Sequence, residues 1–215
     1  MNFIFGSANG IGNSLYKIYK ENNLPVYGFD KISSNETDQI INLSDLNNFD
    51  GVLDLLNNTD IHSITYCAGI QNQTTDESIF NVNVLAFIQI ISNIFPKLNN
   101  AVICGISSIH SVASNKDNQL YAASKAALES AIKSFSISGS NSYFYFLRLG
   151  ATETNLLLEN VKDVEGLKNS LPSKKLFMPD DVGELIFDVN QNHKKLFNGG
   201  YIQIDQGVLS ELSTE

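Results

Sequence analysis

The chain is poor in the features that mark several large classes of protein. It has two cysteines, Cys67 and Cys104, each inside an apolar, strand-like run. Two such residues do not make a disulfide framework, and buried free thiols are expected. The histidines, His62, His110 and His193, are dispersed without metal-ligand spacing, so no metal site is expected. Lys and Arg form no cluster and the formal net charge is −9. This speaks against nucleic acid or an anionic membrane as partner. No apolar run reads as long enough to span a bilayer. The amino terminus has no basic leader, since Met1 passes straight into Asn2-Phe3-Ile4-Phe5-Gly6, which reads as a strand. Together these absences favour the cytoplasm. There is no internal repeat and no linker that divides the chain.

What is present suits one globular α/β domain spanning 1–215. Apolar residues make up 43% and charged residues 17% of 215 positions, enough to bury a substantial core. Unbroken apolar runs at 2–5, 25–29, 39–42, 63–67, 101–106, 142–147 and 201–204 read as strands covered on both faces. The run Tyr143-Phe144-Tyr145-Phe146 belongs to one of them. Helix-period segments alternate with these at 10–21, 45–56, 78–95, 120–136 and 180–190. The repeated β-α-β order predicts a Rossmann-type, doubly wound parallel sheet in three layers, with strand order 3-2-1-4-5-6-7. The helix at 120–136 carries Ala122, Ala123, Ala126 and Ala127, small residues that let another helix approach. Residues 154–177, with Gly166 and Pro172, read as a short helix plus a mobile loop. Residues 211–215 read as a frayed tail.

The first strand–helix turn reads Gly6-Ser7-Ala8-Asn9-Gly10-Ile11-Gly12. Glycines here let the backbone approach a pyrophosphate, and the helix start offers free N–H groups and a positive dipole end. Alone this is weak, because ordinary strand–helix turns are also glycine-rich. The second strand ends in Asp30, a carboxylate able to accept from the adenosine ribose hydroxyls and to repel a 2′-phosphate. Asn9, not Lys or Arg, precedes Gly10. These residues favour NAD over NADP, with Lys31 as the opposing signal.

The segment Tyr121-Ala122-Ala123-Ser124-Lys125 puts Tyr121 and Lys125 one turn apart on one helix face. A free phenol has a pKa near ~10, too high for easy proton exchange at neutral pH. A neighbouring ammonium is expected to lower it. This Tyr-x-x-x-Lys segment resembles the short-chain dehydrogenase/reductase family, and the resemblance extends over nearly the whole chain. Cys104-Gly105-Ile106-Ser107-Ser108 is similar to the strand that ends in the family's serine. Ser108 precedes Tyr121 by the family's thirteen residues (121 − 108), and Ser107 is the alternative if the register differs by one. Val82-Asn83-Val84 resembles the family's helix asparagine, implied to anchor a water linked to Lys125.

The stretch from Arg148 through Leu149, Gly150, Thr152 and Thr154 resembles the segment that binds the nicotinamide carboxamide. The run 199–207 resembles the last strand and turn. Met178-Pro179-Asp180-Asp181-Val182 resembles the start of the last helix, with Asp as N-cap. The resemblance also implies cofactor contacts from Gly6, Ser7, Asn9, Gly10, Ile11, Asp30, Asn42, Leu43, Ala68 and Gly69, and from Tyr121 and Lys125 to the nicotinamide ribose.

The sequence departs from the family at several places. Phe5 replaces a threonine, Tyr66-Cys67-Ala68-Gly69 replaces Asn-Asn-Ala-Gly, Asn42 replaces an aspartate and Leu149 a proline. The substrate lid, about 154–178, is short. His110 either lines the substrate cleft or faces solvent, and Cys67, near the expected adenosine edge, is either reactive or a packed thiol. The implied function is hydride transfer between NAD(H) and a small alcohol or ketone, with Tyr121 as acid/base and Asn83, Ser108 and Lys125 assisting. Two alternatives stand beside it: an NADPH-linked 3-oxoacyl-type reductase, and a dinucleotide sensor or scaffold without turnover. A homodimer or homotetramer is the implied assembly.

Overall fold

The structure, a computed structural model, describes residues 1–71, 76–113 and 118–212. The last three residues of the expected tail lie outside it. In chain order the elements are β1 (Asn2–Phe5), α1 (Gly10–Glu21), β2 (Val26–Asp30), β3 (Gln39–Ile40), α2 (Asp50–Asn57), β4 (Ser63–Tyr66), α3 (Asp76–Phe80), α4 (Ala86–Ile94) and β5 (Asn99–Ser108). Then follow α5 (Gln119–Ser136), β6 (Asn141–Leu149), α6 (Asn155–Asn160), α7 (Val164–Ser170), α8 (Pro179–Asp188), β7 (Tyr201–Ile204) and α9 (Val208–Leu212).

The seven strands form one parallel sheet in the order β3-β2-β1-β4-β5-β6-β7. This is the predicted order. Its physical cause is the apolar character of both strand faces, which obliges helices to cover each side. On one face Val52 and Leu56 of α2, Phe87 and Ile90 of α4, and Leu128 and Ile132 of α5 pack on the sheet. On the other, Ile11, Leu15 and Tyr19 of α1 meet Val182 and Ile186 of α8. The strand order reverses between β1 and β4, which opens a crevice at the carboxyl ends of the strands.

Several boundaries differ from the sequence reading. The segment expected as a helix from residue 45 becomes helical only at Asp50, because Asp45 Oδ1 accepts from Asn47 N at 3.2 Å and so favours a turn. The expected N-cap aspartate of α8 is corrected. Met178 occupies the cap, Pro179 is at the first helical position, and the Asp180 carboxylate accepts instead from the Ser14 hydroxyl on α1. Residues 155–170 hold two short helices, α6 and α7, where one helix and a loop were expected. Strand β5 runs two residues further than expected, which brings Ser107 and Ser108 into the ladder.

The helical run Ser78–Lys97 corrects the reading that nothing is long and apolar enough to span a bilayer, since by length and composition it is. Its Phe87, Ile90, Ile91 and Ile94 are fully buried against the sheet, so core packing accounts for its apolarity. A π-helical turn, Asn81–Leu85, interrupts this run, a feature often found at functional positions.

Two of the departures from the family pattern explain each other. Phe5 stacks on Phe29 at 4.6 Å between centroids and tilts against Tyr66 at 5.8 Å. These rings tie β1, β2 and β4 together below the crevice. The Tyr66 hydroxyl then donates to Val82 O at 2.6 Å, inside the π turn.

Candidate active site

The glycine-rich turn wraps the end of β1. Gly6 takes φ +89°, and a Cβ there would lie 2.6 Å from Ala68 N, so β1 and the β4 end touch through backbone alone. At Gly12 a Cβ would come within 2.0 Å of Gly6 O, so this glycine lets α1 close onto the turn. The Ser7 hydroxyl is fully buried and has no hydrogen-bond partner among the described residues. Asn9 is exposed and occupies the α1 N-cap without a side-chain cap bond. Gly10 opens the helix, and Ile11 behind it is buried in the core.

Asp30 closes one side of this turn. Its Oδ2 accepts from Ala8 N at 2.9 Å and its Oδ1 from Ile32 N at 3.0 Å. The carboxylate is therefore held against the glycine turn rather than left as a free strand end, and Lys31 beside it is exposed. Asn42 is exposed, and its Oδ1 already accepts from Ser44 N (3.1 Å) and Ser44 Oγ (2.8 Å), which uses both of its lone pairs in this conformation. The Leu43 side chain is buried in the core, so only its backbone faces the crevice rim.

Across the crevice, the side chains that the sequence reading singled out for catalysis come together on one helix face and the neighbouring strand end. Tyr121 and Lys125 are both buried on α5. Ser108 ends β5 and caps a 3-10 turn, Ile109–Ser111, by accepting from His110 N at 3.2 Å. The Ser108 hydroxyl also lies near enough to the Tyr121 phenol to favour its ionised form. Ser107, one residue earlier, points to the opposite face of the sheet, as strand alternation requires, and donates to Glu129 Oε1 at 2.6 Å. Of the two serines, Ser108 is the one beside Tyr121.

The electrostatics differ from expectation. The phenol of Tyr121 is pushed up to about 12 by burial, with the Ser108 hydroxyl pulling the other way. The expected lowering by Lys125 does not offset this rise. The ammonium lies 5.6 Å from the ring centroid and donates to Ile106 O at 2.8 Å. Burial pulls Lys125 itself down to about 8, against the opposing influence of Cys67 and Glu129. Desolvation thus disfavours the charged form of both groups, while Lys125 keeps most of its charge at neutral pH.

Asn83 sits in the π turn, fully buried. Its Oδ1 accepts from Ile70 N (2.8 Å), and its Nδ2 donates to Ile70 O (3.0 Å) and Ser124 Oγ (2.9 Å). It clamps the loop after β4 to the helix that carries Tyr121. Gly69, on that loop, leaves room for Lys125 Nζ, which would be 3.2 Å from a Cβ there. Gly150 donates to Ile204 O at 2.8 Å, and Thr152 pairs with Phe177 across an isolated bridge. Thr154 caps α6 and faces the glycine turn, its methyl 3.0 Å from where a Gly10 Cβ would be.

Two further features escaped the sequence reading or were underweighted in it. The His110 ring stands edge-on to Tyr121 at 6.2 Å, so it belongs to the cleft. Behind the site, Arg148 binds Glu129 through two hydrogen bonds, Nη2–Oε2 at 2.7 Å and Nε–Oε1 at 3.1 Å. Both residues are buried. Ser111 joins Ser107 on the same carboxylate. The signals were available: Glu129 continues the Tyr121, Lys125 spacing by another four residues, and Arg148 is the sole arginine of the chain, embedded in an apolar strand. Cys67 and Cys104 are free thiols, and burial raises the pKa of both. Among the described residues no group of His, Cys, Asp and Glu could hold a metal ion.

Comparison with known proteins agrees with this arrangement. No curated protein matches the sequence. The fold is shared with 3-alpha-hydroxysteroid dehydrogenase from Pseudomonas sp. B-0831, solved with NADH, at TM-score 0.88 and 18% identity over 100% of this chain and 98% of that one. It is shared with 4-hydroxyisoleucine dehydrogenase, solved with NADH, at TM-score 0.83 and 20% identity over 97% and 98%. BdcA, solved with NADPH, matches at TM-score 0.82 and 16% identity over 95% and 92%. The sequence profile described as short chain dehydrogenase matches residues 2–163. With three quarters of its length inside that profile, the chain belongs to the short-chain dehydrogenase family of oxidoreductases.

Proposed function

We propose that this protein transfers hydride between NAD(H) and a small alcohol or ketone, with Tyr121 as the acid/base. The observation that carries the reading is the convergence of the Ser108 hydroxyl, at the end of β5, with the buried Tyr121 and Lys125 of α5. Two hydroxyls meeting at the mouth of the crevice form a ready cradle for one substrate oxygen. The residues on the opposite wall fit a dinucleotide: the buried Ser7 hydroxyl has no hydrogen-bond partner among the described residues, and the glycine turn leaves its backbone open to close approach.

When bound, a nicotinamide dinucleotide supplies or accepts the hydride. The chain's own residues do the rest. Ser108 orients the substrate oxygen, and Tyr121 gives it a proton in reduction or takes one in oxidation. Lys125, on the same helix face, brings a positive charge that favours the phenolate once the site is filled. Asn83 fixes the loop beside Lys125.

Asp30 supports NAD over NADP. Its carboxylate is anchored beside the glycine turn, where a 2′-phosphate would meet like charge, and Asn9 offers no compensating cation. The test is direct titration of the purified protein with NADH and NADPH, followed by nicotinamide fluorescence. Tighter NADH binding is the expected result. Preference for NADPH transfers the reading to the NADPH-linked reductase, and binding of neither removes the proposal.

A further inference from the structure

We propose that Gln206 is a positioning residue for the wall of the dinucleotide cleft formed by residues 150–154. This inference rests on the dinucleotide reading above. Gln206 lies in the turn after β7 and takes φ +57°, a left-handed conformation that a side chain with a Cβ enters at a cost. From there its side chain folds back over the carboxyl end of β6. Its Nε2 donates to Ala151 O at 2.7 Å. Its Oε1 lies against Gly150, where a Cβ would come within 2.1 Å of it. That oxygen is buried and has no hydrogen-bond partner among the described residues.

Gln206 thus combines backbone strain with an unsatisfied buried carbonyl, two local penalties at one residue. A glycine in its place would incur neither. Such a conflict with local preference marks a position held for another purpose. The purpose legible here is restraint of the 150–154 segment. Leu149, just before it, leaves the backbone rotatable where a proline ring would have fixed φ. Ala151 O accepts from both Gln206 Nε2 and Phe177 N, the latter at 3.0 Å. The carbonyl is the junction between the β7 turn, the end of the 154–178 segment and the cleft wall. Thr154, three residues on, abuts Gly10 across the cleft, so slack at Ala151 is transmitted to the gap a dinucleotide has to enter.

Two variants separate positioning from folding. Gln206→Gly suits the left-handed backbone and deletes the strap. Gln206→Glu keeps the size but, ionised, has no donor for Ala151 O. Three readouts are compared with the parent protein: amide hydrogen exchange over 150–154 without ligand, NADH affinity by fluorescence, and Tm. Both variants are expected to speed exchange there and to weaken NADH binding about tenfold, as loss of one net hydrogen bond implies. The Tm of Gln206→Gly should stay at or above the parent's.

Unchanged exchange removes the strap. Faster exchange with unchanged NADH affinity removes the positioning role. Weaker binding that only tracks a lower Tm does the same. If the parent binds neither NADH nor NADPH, the dinucleotide reading falls and the positioning role falls with it, while exchange still decides separately whether Gln206 orders the segment.

Discussion

The Ser108 hydroxyl stands beside the Tyr121 phenol although one ends a strand and the other opens a helix. Ser108 opposes the rise in the phenol's pKa that burial imposes, and under the proposed function the two hydroxyls hold one substrate oxygen between them. Removing either hydroxyl separates chemistry from binding. Tyr121→Phe should lower turnover of any alcohol or ketone the parent oxidises or reduces by at least roughly a hundredfold, the usual contribution of a positioned acid/base. Its NADH affinity should stay within about twofold, because no dinucleotide-facing hydroxyl on the glycine turn is touched. Ser108→Ala should show the same split with a smaller loss. Initial rates and fluorescence titration measure the two halves, and a fully active Tyr121→Phe protein would rule out the acid/base role.

The second expectation concerns pH. Lys125 has a folded pKa of about 8 against an ordinary 10.5. Between those values the unfolded chain binds a proton that the folded chain has released, so stability rises with pH through this window. Tyr121 runs the other way. Its folded pKa of about 12 exceeds the ordinary 10.0, so the folded state keeps a proton that the unfolded state loses, and stability falls above about pH 10. Buried Tyr66 and Tyr145 act in the same direction, and the buried thiols of Cys67 and Cys104 do so already from about pH 9. Tm should climb from pH 8 toward 9 and then drop. In Lys125→Met the climb should vanish while the drop persists. Thermal scans across pH 7 to 11 read both limbs; a climb that survives in Lys125→Met would assign it to another group.

Much of this was legible in the sequence because apolar runs and turn glycines are local signals. The strand order followed from alternating β and α periods, and the choice of Ser108, Tyr121 and Lys125 from their resemblance to the family motif. What was not legible depends on contacts between distant segments. The expected lowering of the Tyr121 pKa considered only Lys125 and ignored how deeply α5 buries both groups. Asp180 reads as a cap until Ser14, on another helix, claims its carboxylate. Phe5 and Tyr66 look like separate departures until the sheet stacks one beside the other. The π turn that carries Asn83 interrupts a run whose apolar period reads as an uninterrupted helix.

The buried pair Glu129–Arg148 supports a third expectation. Burial pushes the Glu129 carboxyl up, but hydrogen bonds from Arg148, Ser107 and Ser111 outweigh it and hold the group below its usual range. Glu129→Gln leaves the guanidinium of Arg148 buried without its counter-charge, which costs about 3–5 kcal/mol. The double change Glu129→Leu with Arg148→Met replaces both charges by apolar groups and should recover most of that loss. Denaturant unfolding of the parent, single and double variants closes the cycle. A double variant no more stable than Glu129→Gln would mean that the Ser107 and Ser111 bonds, not the charge pair, carry the stability.

The last expectation tests whether Tyr66 takes over support of the site from the asparagine it replaces. Its hydroxyl donates to Val82 O at 2.6 Å, one residue before Asn83, and the ring packs edge-on to Phe87 at 5.4 Å. Tyr66→Phe keeps the ring and deletes the donor, leaving the Val82 carbonyl buried and without that bond. The stability cost should be about 1 kcal/mol, the net contribution of one lost hydrogen bond. The same loss should loosen the π turn and therefore the Asn83 clamp on Ile70. Amide exchange at Ile70, whose N–H is bound by Asn83 Oδ1, should speed by more than global unfolding alone allows. A stability loss with Ile70 exchange tracking the global value would confine Tyr66 to the core, whereas local acceleration at Ile70 ties the aromatic stack under the sheet to the loop beside Lys125.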